Sequence, residues 1–409
     1  PVNILALRIF NSSGTALTSA IRVNSDESGL PHWSPSLAIN KTGGMAVVWE
    51  DYRNGNADIF MRMVNQDGSF PGADFGLVEA AFDDSAQYLP QIAFSATDGF
   101  AAGWLDRRAG HQKVYLQRVV PGTGLVGTNF KVSESDSLSD DWDIALGISS
   151  LNNLTAAWSS AGTDDIIYLR KFGAGFALTD GNIAVNSYAA GNRWETSLLL
   201  GPSDKIFCGW TDFRLPAPDI YFQLLNSAGI PQFGTDKIIN DDSQGALCSE
   251  PDLALLGQNK GAVIFAGNRN DDGDIFLQLV DSNGLSGSNL KVNTDTLPAL
   301  QNEPALAASG DKILIVWNDN RAVLGVGGRR IFGRYLGANG LFSGDDFIIS
   351  NPDVITSKSR PAVAIARSQT ALVVWSDNRT GSGQIMGRLV REPATLAGNE
   401  FTLSVPNID

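Results

Sequence analysis

Short apolar runs recur along the chain, and each ends at an aromatic residue that is followed by a polar turn and a second apolar run. In the first copy the run 45–50 is apolar at nearly every position, which is typical of a strand buried on both faces. Its turn carries Asp51 and Arg53, and a second strand is expected over 58–64. The aromatic anchors of the seven copies are Trp49, Trp104, Trp158, Trp210, Phe265, Trp317 and Trp375.

The spacing of these anchors is nearly constant, at 55, 54, 52, 55, 52 and 58 residues. A period of this length that fills the whole chain indicates a repeat architecture. Each full repeat holds four strand-like runs, which in the first copy are 36–40, 45–50, 58–64 and 75–80, and turn residues such as Asp67 and Gly68 separate the last two. Four antiparallel strands per repeat predict an all-β fold, a single β-propeller of four-stranded blades.

The sequence pattern fits two different numbers of blades. Residues 1–409 are expected to form one domain with blades at about 33–80, 88–135, 142–187, 194–241, 249–295, 302–351 and 359–405. An N-terminal hairpin at 1–25 has the pattern of a third and fourth strand, so there are eight outer pairs and seven inner pairs. The pattern favours a closed ring of seven blades, with outer strands supplied by both termini. The alternative is an eighth blade that lacks its inner half.

The repeats resemble those of a known propeller family. The tripeptide Trp33-Ser34-Pro35, the acid–x–Arg–x–Gly turn that begins at Asp51 and the strand that begins Asp58-Ile59 resemble the repeats of TolB-type (WD40-like) propellers. The turn is also similar, more weakly, to the Asp-box of sialidase-like propellers. The resemblance implies a secreted or envelope-facing binding propeller, and it carries over no catalytic residue.

Composition narrows the range of partners. The formal net charge of -14 argues against nucleic acid and anionic lipid, and no apolar run is long enough for membrane insertion. The chain begins at Pro1 without methionine, so we expect a processed or excised N-terminus. We also expect export to the cell surface or beyond, and further domains or copies of the chain as partners. Cys208 and Cys248 are interpreted as two buried thiols, or as a bridge between adjacent repeats.

The acid–x–Arg pair is the most repeated charged feature, and it has two interpretations. The carboxylate can accept backbone N–H bonds at the turn and pair with the guanidinium, which is a structural role. Alternatively, Asp51, Asp106 and Asp212 contribute to a ligand site. The arginines that belong to the repeat are Arg53, Arg108, Arg214, Arg269, Arg321 and Arg379.

An asymmetric feature precedes the anchors by 16 residues. The first four repeats carry an aromatic residue there, whereas the last three carry Ser249, Asn302 (offset by one) and Ser359. These aromatics predict a one-sided surface for a glycan or protein ligand; the alternative is that the rings fill gaps between blades. The four aromatic residues, called the aromatic arc below, are Trp33, Tyr88, Trp142 and Trp194.

Signals for metals and catalysis are weak. Asp271, Asp272 and Asp274 offer oxygen ligands without the spacing of an EF-hand, so calcium is the only candidate cofactor. Neither of the two histidines belongs to a catalytic motif, and no catalytic residue is assigned. The expected function is an extracellular or cell-surface recognition module. The alternatives are a structural domain of a larger surface protein or filament, and a carbohydrate-active hydrolase or lyase, which needs only two carboxylates among the 44 acids.

Overall fold

The computed structural model describes residues 4–11, 14–79, 84–97, 99–134, 139–162, 165–188, 190–242, 245–257, 260–269, 273–296, 298–322, 328–366, 368–381 and 383–404. These residues form thirty β-strands, and their only helical segments are the single 3-10 turns Ala174–Phe176 and Pro202–Asp204. The strands form seven four-stranded antiparallel sheets and one two-stranded sheet. The prediction of an all-β propeller with four-stranded blades is confirmed.

The seven complete blades follow one another along the chain, and in each of them the four strands pair in sequence order. Blades 1 to 4 are β3 His32–Ile39, β4 Met45–Asp51, β5 Asp58–Val64, β6 Phe75–Gly76; β7 Gln87–Ser95, β8 Gly99–Asp106, β9 Lys113–Val120, β10 Gly124–Lys131; β11 Asp141–Ile148, β12 Leu154–Ser160, β13 Ile166–Phe172, β14 Ile183–Ala184; and β15 Arg193–Leu200, β16 Ile206–Asp212, β17 Asp219–Leu225, β18 Lys237–Ile238. Blades 5 to 7 are β19 Cys248–Leu256, β20 Lys260–Gly267, β21 Asp274–Asp281, β22 Gly284–Lys291; β23 Gln301–Ser309, β24 Lys312–Asp319, β25 Arg330–Leu336, β26 Phe347–Ile348; and β27 Lys358–Ile365, β28 Thr370–Asp377, β29 Gln384–Arg391, β30 Thr395–Thr402.

The second strand of a blade is apolar throughout because its two faces pack against different neighbours. In β24, Ile315 and Trp317 belong to the core shared with blade 5, whereas Leu314 and Val316 belong to the core shared with blade 7. All four side chains are fully buried. A continuous apolar run is therefore the sequence signature of a strand held between two blades.

The first strands converge on the centre of the ring. Around the ring from blade 1 to blade 7, each first strand packs against the first strand of the next blade. The connections from second to third strand leave on one face, together with the connections from each blade to the next, because the four strands are antiparallel. We call this face the upper face.

The N-terminal strands β1 Ala6–Leu7 and β2 Ile21–Arg22 form the two-stranded sheet. They match the third and fourth strands of a blade, because Val23 N donates to Leu5 O at 2.7 Å, as a fourth-strand residue does in every complete blade. The seven matching bonds, 2.7 to 2.8 Å long, are Leu77 to Ile59, Val132 to Val114, Val185 to Ile167, Ile239 to Ile220, Val292 to Ile275, Ile349 to Ile331 and Leu403 to Ile385. The hairpin is thus an eighth outer pair.

This hairpin lies between blade 7 and blade 1. Arg62 Nη1 of blade 1 donates to Val23 O at 2.7 Å, just as Arg388 Nη1 of blade 7 donates to Ile349 O of blade 6 at 2.9 Å. On its other side, Arg8 Nη1 donates to Thr402 O of blade 7 at 2.8 Å. In the described part of the chain, β27 and β3 make no extensive contact.

The ring therefore has eight positions, of which seven hold complete blades and one holds an outer pair. Both termini supply outer strands, as predicted. The favoured ring closed by seven blades alone is wrong, because the hairpin separates the outer strands of blade 7 from those of blade 1 and holds both by hydrogen bonds. The alternative, an eighth blade without its inner half, describes the architecture.

The aromatic anchors are core residues, with exposed fractions of 0 or 1%. Four of them donate the indole N–H to the aspartate two positions later, at 2.8 to 3.0 Å, and that aspartate also pairs with the arginine of the turn. The four bonds are Trp49 to Asp51, Trp104 to Asp106, Trp210 to Asp212 and Trp317 to Asp319. The motif ties the end of the second strand to the start of the upper turn.

The third blade lacks this aspartate and arginine, since Ser160 and Gly162 occupy their positions. Its first strand supplies a carboxylate instead, because Ser160 Oγ donates to Asp141 Oδ1 at 2.8 Å. The indole N–H of Trp158 has no partner among the described residues. Burial raises the pKa of Asp141, although hydrogen bonds from Ser133 and Ser160 oppose this effect.

The two cysteines are unbridged and buried. Cys208 belongs to the core between blades 3 and 4, and Cys248 to the core between blades 4 and 5. A bridge would have to cross blade 4, so of the two predicted alternatives the structure shows two buried thiols. Burial raises the pKa of each thiol to about 12.

Candidate functional site

The aspartates of the acid–x–Arg turns are not available to a ligand. Asp51, Asp106 and Asp212 have exposed fractions of 0%. Arg214 Nη2 lies 2.6 Å from Asp212 Oδ2, and Arg193 Nε lies 3.0 Å from the same oxygen. The prediction that these three aspartates contact a ligand is therefore wrong, because their oxygens already bind the indole and guanidinium groups of the motif.

The electrostatics of these turns agree with a structural role. Burial opposes the ionisation of Asp212, but the hydrogen bonds from Arg214 and Trp210 outweigh it, and its pKa is lowered. The same balance lowers the pKa of Asp51, where His32, Arg53 and Trp49 are the hydrogen-bonding partners. Both carboxylates stay ionised within the wall of the ring.

The aromatic arc is accessible on the upper face. Trp33, Trp142 and Trp194 have exposed fractions of 52, 42 and 49%, and Tyr88 is half-buried. All four stand at the same register position, the second residue of a first strand. Rings that filled gaps between blades would be buried, so the exposure satisfies the condition that a ligand surface requires.

The two sides of the upper face are built differently. On the aromatic side, the residue after the buried aspartate packs against the arc: Trp33 lies 5.0 Å from Tyr52 and Trp194 lies 4.7 Å from Phe213, between ring centroids. In blades 5 to 7 the matching residue is asparagine, whose side-chain oxygen accepts a backbone N–H of the incoming loop at 2.7 to 2.8 Å. These bonds are Leu247 to Asn268, Leu300 to Asn320 and Ser357 to Asn378.

A row of acidic side chains lies beside the arc at the rim of the central channel. Each complete blade has one first-strand residue with positive φ directly after the arc position, where the register of the first strand shifts. In blades 3 to 6 that residue is acidic. We call these residues the rim carboxylates: Asp143, Glu195, Glu250 and Glu303.

The rim carboxylates link one blade to the next. Asp143 Oδ2 accepts Glu195 N at 2.7 Å, Glu195 Oε2 accepts Glu250 N at 2.8 Å, and Glu250 Oε2 accepts Glu303 N at 2.7 Å. The last bond of the series joins Glu303 Oε2 to Arg360 N at 2.6 Å. In the next blade, the residue with positive φ turns its own backbone N–H away from the sheet. The rim carboxylate accepts a hydrogen bond from that N–H.

Two rim carboxylates hold their protons more tightly than usual. Burial raises the pKa of Asp143, and the nearby charge of Glu195 adds to the shift. Burial also raises the pKa of Glu250, which lies between the charges of Glu195 and Glu303. A carboxyl group whose pKa is raised is better suited to donate a proton near neutral pH.

Sequence reasoning missed the rim carboxylates, although they follow the arc position directly in four consecutive repeats. The regular occurrence of Asp143, Glu195, Glu250 and Glu303 one residue after that position was a usable signal. What the sequence does not show is their left-handed backbone, because glycine and asparagine are the residues that usually adopt it.

The predicted calcium ligands do not form a described site. Asp271 and Asp272 lie outside the described residues. Asp274 is fully buried, and its Oδ1 accepts from Lys291 Nζ at 2.6 Å and from Asn293 Nδ2 at 2.7 Å. A carboxylate that is already paired with an ammonium group is a poor ligand for a further cation.

A second group of possible metal ligands consists of Asp26, His32 and Asp51, whose ligand atoms lie within 4.8 Å of one another. His32 Nε2 is 3.3 Å from Asp51 Oδ2. The guanidinium of Arg53 lies on the same oxygen at 2.6 Å, which opposes a metal cation. At the matching first-strand position blades 4 and 7 carry the cations Arg193 and Lys358, so His32 belongs to the same structural series.

Comparisons with known proteins identify the fold. No family model matches the chain, and no curated protein sequence matches it. A solved polysaccharide lyase of family PL25, an ulvan lyase bound to –[GlcA(1-4)Rha3S]–, is 10% identical with a TM-score of 0.56, covering 88% of this chain and 92% of the lyase. The polysaccharide lyase Uly1 is 12% identical with a TM-score of 0.53, covering 87% and 89%.

A third similar structure is a puromycin-hydrolyzing peptidase of Mycobacterium tuberculosis, 9% identical with a TM-score of 0.55, covering 93% of this chain and 54% of the peptidase. At these identities the likeness extends to the architecture of the propeller. Within the described segments, no helix has the length and apolar character that crossing a membrane requires.

Proposed function

We propose that the protein acts on carbohydrate: it binds a polysaccharide across the aromatic arc and hydrolyses it at the rim carboxylates. The observation that carries this proposal is the position of exposed indoles directly beside acidic groups at the channel rim. Trp142 and Asp143 are consecutive residues, and so are Trp194 and Glu195. The architecture shared with two polysaccharide lyases supports a carbohydrate substrate. The same role suits export to the cell surface or beyond.

The arc suits sugar rings because an indole presents a broad apolar face with little conformational freedom. Its members stand in four consecutive blades, so a chain of several sugars is needed to span them. The net charge of -14 and the rim carboxylates repel polyanions. The proposed substrate is therefore a neutral polysaccharide rather than a sulfated or uronic-acid polymer.

The chemistry proposed for the rim is glycoside hydrolysis, which uses a protonated carboxyl group and a carboxylate. The raised pKa of Asp143 or Glu250 suits the acid, which protonates the leaving oxygen as the glycosidic bond breaks. Glu195 lies between them in the series of hydrogen bonds and is exposed. Its role is the base that takes a proton from the attacking water, so that one water is consumed for each bond cleaved.

Turnover is tested with a panel of neutral and acidic polysaccharides, measuring new reducing ends for hydrolysis and ultraviolet-absorbing unsaturated ends for elimination. Glu195→Gln and Glu250→Gln should each lower kcat by about 10²–10⁴-fold while affinity is retained. Asp311→Asn is the matched control, since Asp311 is exposed at the turn between β23 and β24 on the opposite face. Unsaturated ends without hydrolysis would replace the hydrolase proposal by a lyase.

Binding is tested separately by calorimetry or affinity electrophoresis with the same polysaccharides. If each ring contributes about 0.5–1.5 kcal/mol, Trp142→Ala and Trp194→Ala should each weaken affinity about 2–13-fold. Leu341→Ala provides the control, because Leu341 is 63% exposed at a turn on the opposite face. Unchanged affinity in both tryptophan variants would contradict binding at the arc.

The second candidate is a recognition module without turnover. It is favoured by one observation, that each rim carboxylate already uses an oxygen to hold the backbone of the next blade. Saturable binding without product in any assay would select this function. A protein that neither binds nor cleaves any member of the panel would contradict both proposals and favour a structural role.

A further inference from the structure

The face of blade 7 that points toward the N-terminal hairpin is exposed where every other blade is buried. Ile385, the second residue of β29, has an exposed fraction of 43%. In β28, Leu372 and Val374 are half-buried, whereas their counterparts Leu314 and Val316 in blade 6 are fully buried. The residues matching Ile385 in blades 1 to 6 are all 0% exposed: Ile59, Val114, Ile167, Ile220, Ile275 and Ile331.

The opposite side of the same position, on blade 1, is exposed as well. Leu37 of β3 pairs with Val47 and is 45% exposed. Its counterparts Ile92, Leu253 and Leu306 in blades 2, 5 and 6 are 8 or 9% exposed, and each packs on the preceding blade. Ile39, two residues further along β3, is 57% exposed. Two apolar faces thus border the inner half of the eighth position.

The unpaired edge of β1 and a cavity on blade 7 also border this position. Strand β1 pairs with β2 alone among the described strands, whereas β29, its counterpart in blade 7, pairs on both sides. A cavity of about 430 Å³ opens on blade 7, where Val374, Trp375, Ser376 and Ile385 line it together with Glu303, Ser359 and Arg360. Trp375 is 1% exposed, and its indole N–H has no partner among the described residues.

We propose that this position, which we call the inner slot, is a binding site for a β-hairpin of the same type as the inner pairs of this propeller. The occupant is a polypeptide whose second strand is apolar on both faces and ends in Trp-x-Asp-x-Arg. Its first strand packs between Leu37 and the first strand of blade 7, and its second strand adds to the edge of β1. In the six complete interfaces between blades, the matching surfaces pack against such a pair.

Strand addition supplies main-chain hydrogen bonds from the β1 edge, and the two apolar faces supply the selectivity. A small-molecule ligand would leave most of the two faces uncovered, because the exposed residues extend from Ile39 to Ile385 across the slot. A soluble protein partner with a polar surface would bury these apolar groups against unpaired polar groups, which is unfavourable. The occupant that satisfies both the edge and the faces is a hairpin whose second strand is apolar on both faces.

The test uses the whole protein and a fluorescent peptide with the sequence of residues 358–379, the inner pair of blade 7 followed by its turn. Fluorescence anisotropy should show saturable 1:1 binding. The same peptide carrying Val373→Asp and Trp375→Asp should not bind. In the protein, Ile385→Asp should raise Kd at least tenfold, because it places a charge on the apolar face. Ile238→Asp, at a residue that is 40% exposed on β18, is the matched control and should leave Kd unchanged.

A second measurement is used in case the free peptide binds too weakly for anisotropy to detect. The peptide is joined to the protein by a flexible linker, and hydrogen exchange is followed at the amides of Ala6 and Arg8, which alternate with the residues bonded to β2 and so face the open edge. Occupation of the inner slot should slow their exchange relative to a fusion that carries the Asp-substituted peptide. Equal exchange in both fusions together with no saturable binding of the free peptide overturns the proposal, and so does binding that Ile385→Asp leaves unchanged.

Discussion

The hydrogen bond between an anchor indole and its aspartate can be measured by comparing two blades. Trp210 and Trp158 are both fully buried, and each lies beside a tyrosine, with ring centroids 6.4 Å from Tyr221 and 5.9 Å from Tyr168. They differ in one respect. Trp210 Nε1 donates to Asp212 at 2.9 Å, whereas the N–H of Trp158 has no partner among the described residues.

Replacement of either tryptophan by phenylalanine removes a similar volume from a similar core, so the loss of packing largely cancels between the two variants. Only Trp210→Phe also removes a hydrogen bond to a charged group, which contributes about 1.5–3 kcal/mol to stability. Asp212 keeps its ion pairs with Arg193 and Arg214, which favours the lower end of this range. Trp210→Phe should therefore lower the free energy of unfolding by about 1.5 kcal/mol more than Trp158→Phe.

The difference between the variants should depend on pH. The bond from Trp210 is one of the interactions that hold the pKa of Asp212 below 3.8 against the opposing effect of burial. A carboxyl group with a lowered pKa contributes stability above its unfolded-state pKa and loses it as the pH falls through the folded-state pKa. The difference should be complete at neutral pH and should shrink in acid. Urea denaturation followed by far-ultraviolet circular dichroism measures it; equal losses at neutral pH, or a difference that grows in acid, would refute the reasoning.

Three further predictions concern the wall of the ring. Asp212→Asn should destabilise the protein by about 3–5 kcal/mol because it removes the carboxylate charge that the buried guanidinium groups of Arg193 and Arg214 face. Asp141→Asn should lower the urea midpoint less, since burial raises the pKa of Asp141 and already disfavours its charged form; equal effects would contradict this. Cys208 and Cys248 should not react with a thiol reagent near pH 8 in the native protein, and both should react in denaturant, where fewer than two free thiols would contradict the unbridged state. Blade 3, which lacks the acid–x–Arg pair, should show faster amide hydrogen exchange than its neighbours; equal protection in all blades would remove that prediction.

The repeat pattern was sufficient to predict the blades because each second strand must be apolar on both faces. The spacing from Trp49 to Trp375 fixes seven such strands, and the structure places all seven anchors in the core. The pattern allows two places for the N-terminal hairpin, because an outer pair fits either end of a ring. Only contacts that join distant parts of the chain, such as Arg8 with Thr402, distinguish them.

The upper face was less accessible to sequence reasoning. The exposure of Trp142 and Trp194 followed from their register and from the absence of aromatics in blades 5 to 7. For Asp51 the sequence allows both a structural pair with Arg53 and a ligand site. The bond from the indole of Trp49, which depends on the folded strand, favours the structural role. The role of Glu250 depends on a left-handed residue in the next blade, which is a property of the backbone rather than of the residue types.

The hairpin between blades 7 and 1 also has a consequence for the order of folding. The bond from Arg388 to Ile349 joins residues 39 positions apart, whereas the bond from Arg8 to Thr402 joins residues 394 positions apart. Closing the longer loop costs about 2 kcal/mol more in chain entropy than closing the shorter one. Contacts of such sequence separation form slowly compared with local ones. The hairpin is therefore expected to contact blade 1, through the bond between residues 62 and 23, before it contacts blade 7. The blades then form an open arc whose two ends meet last.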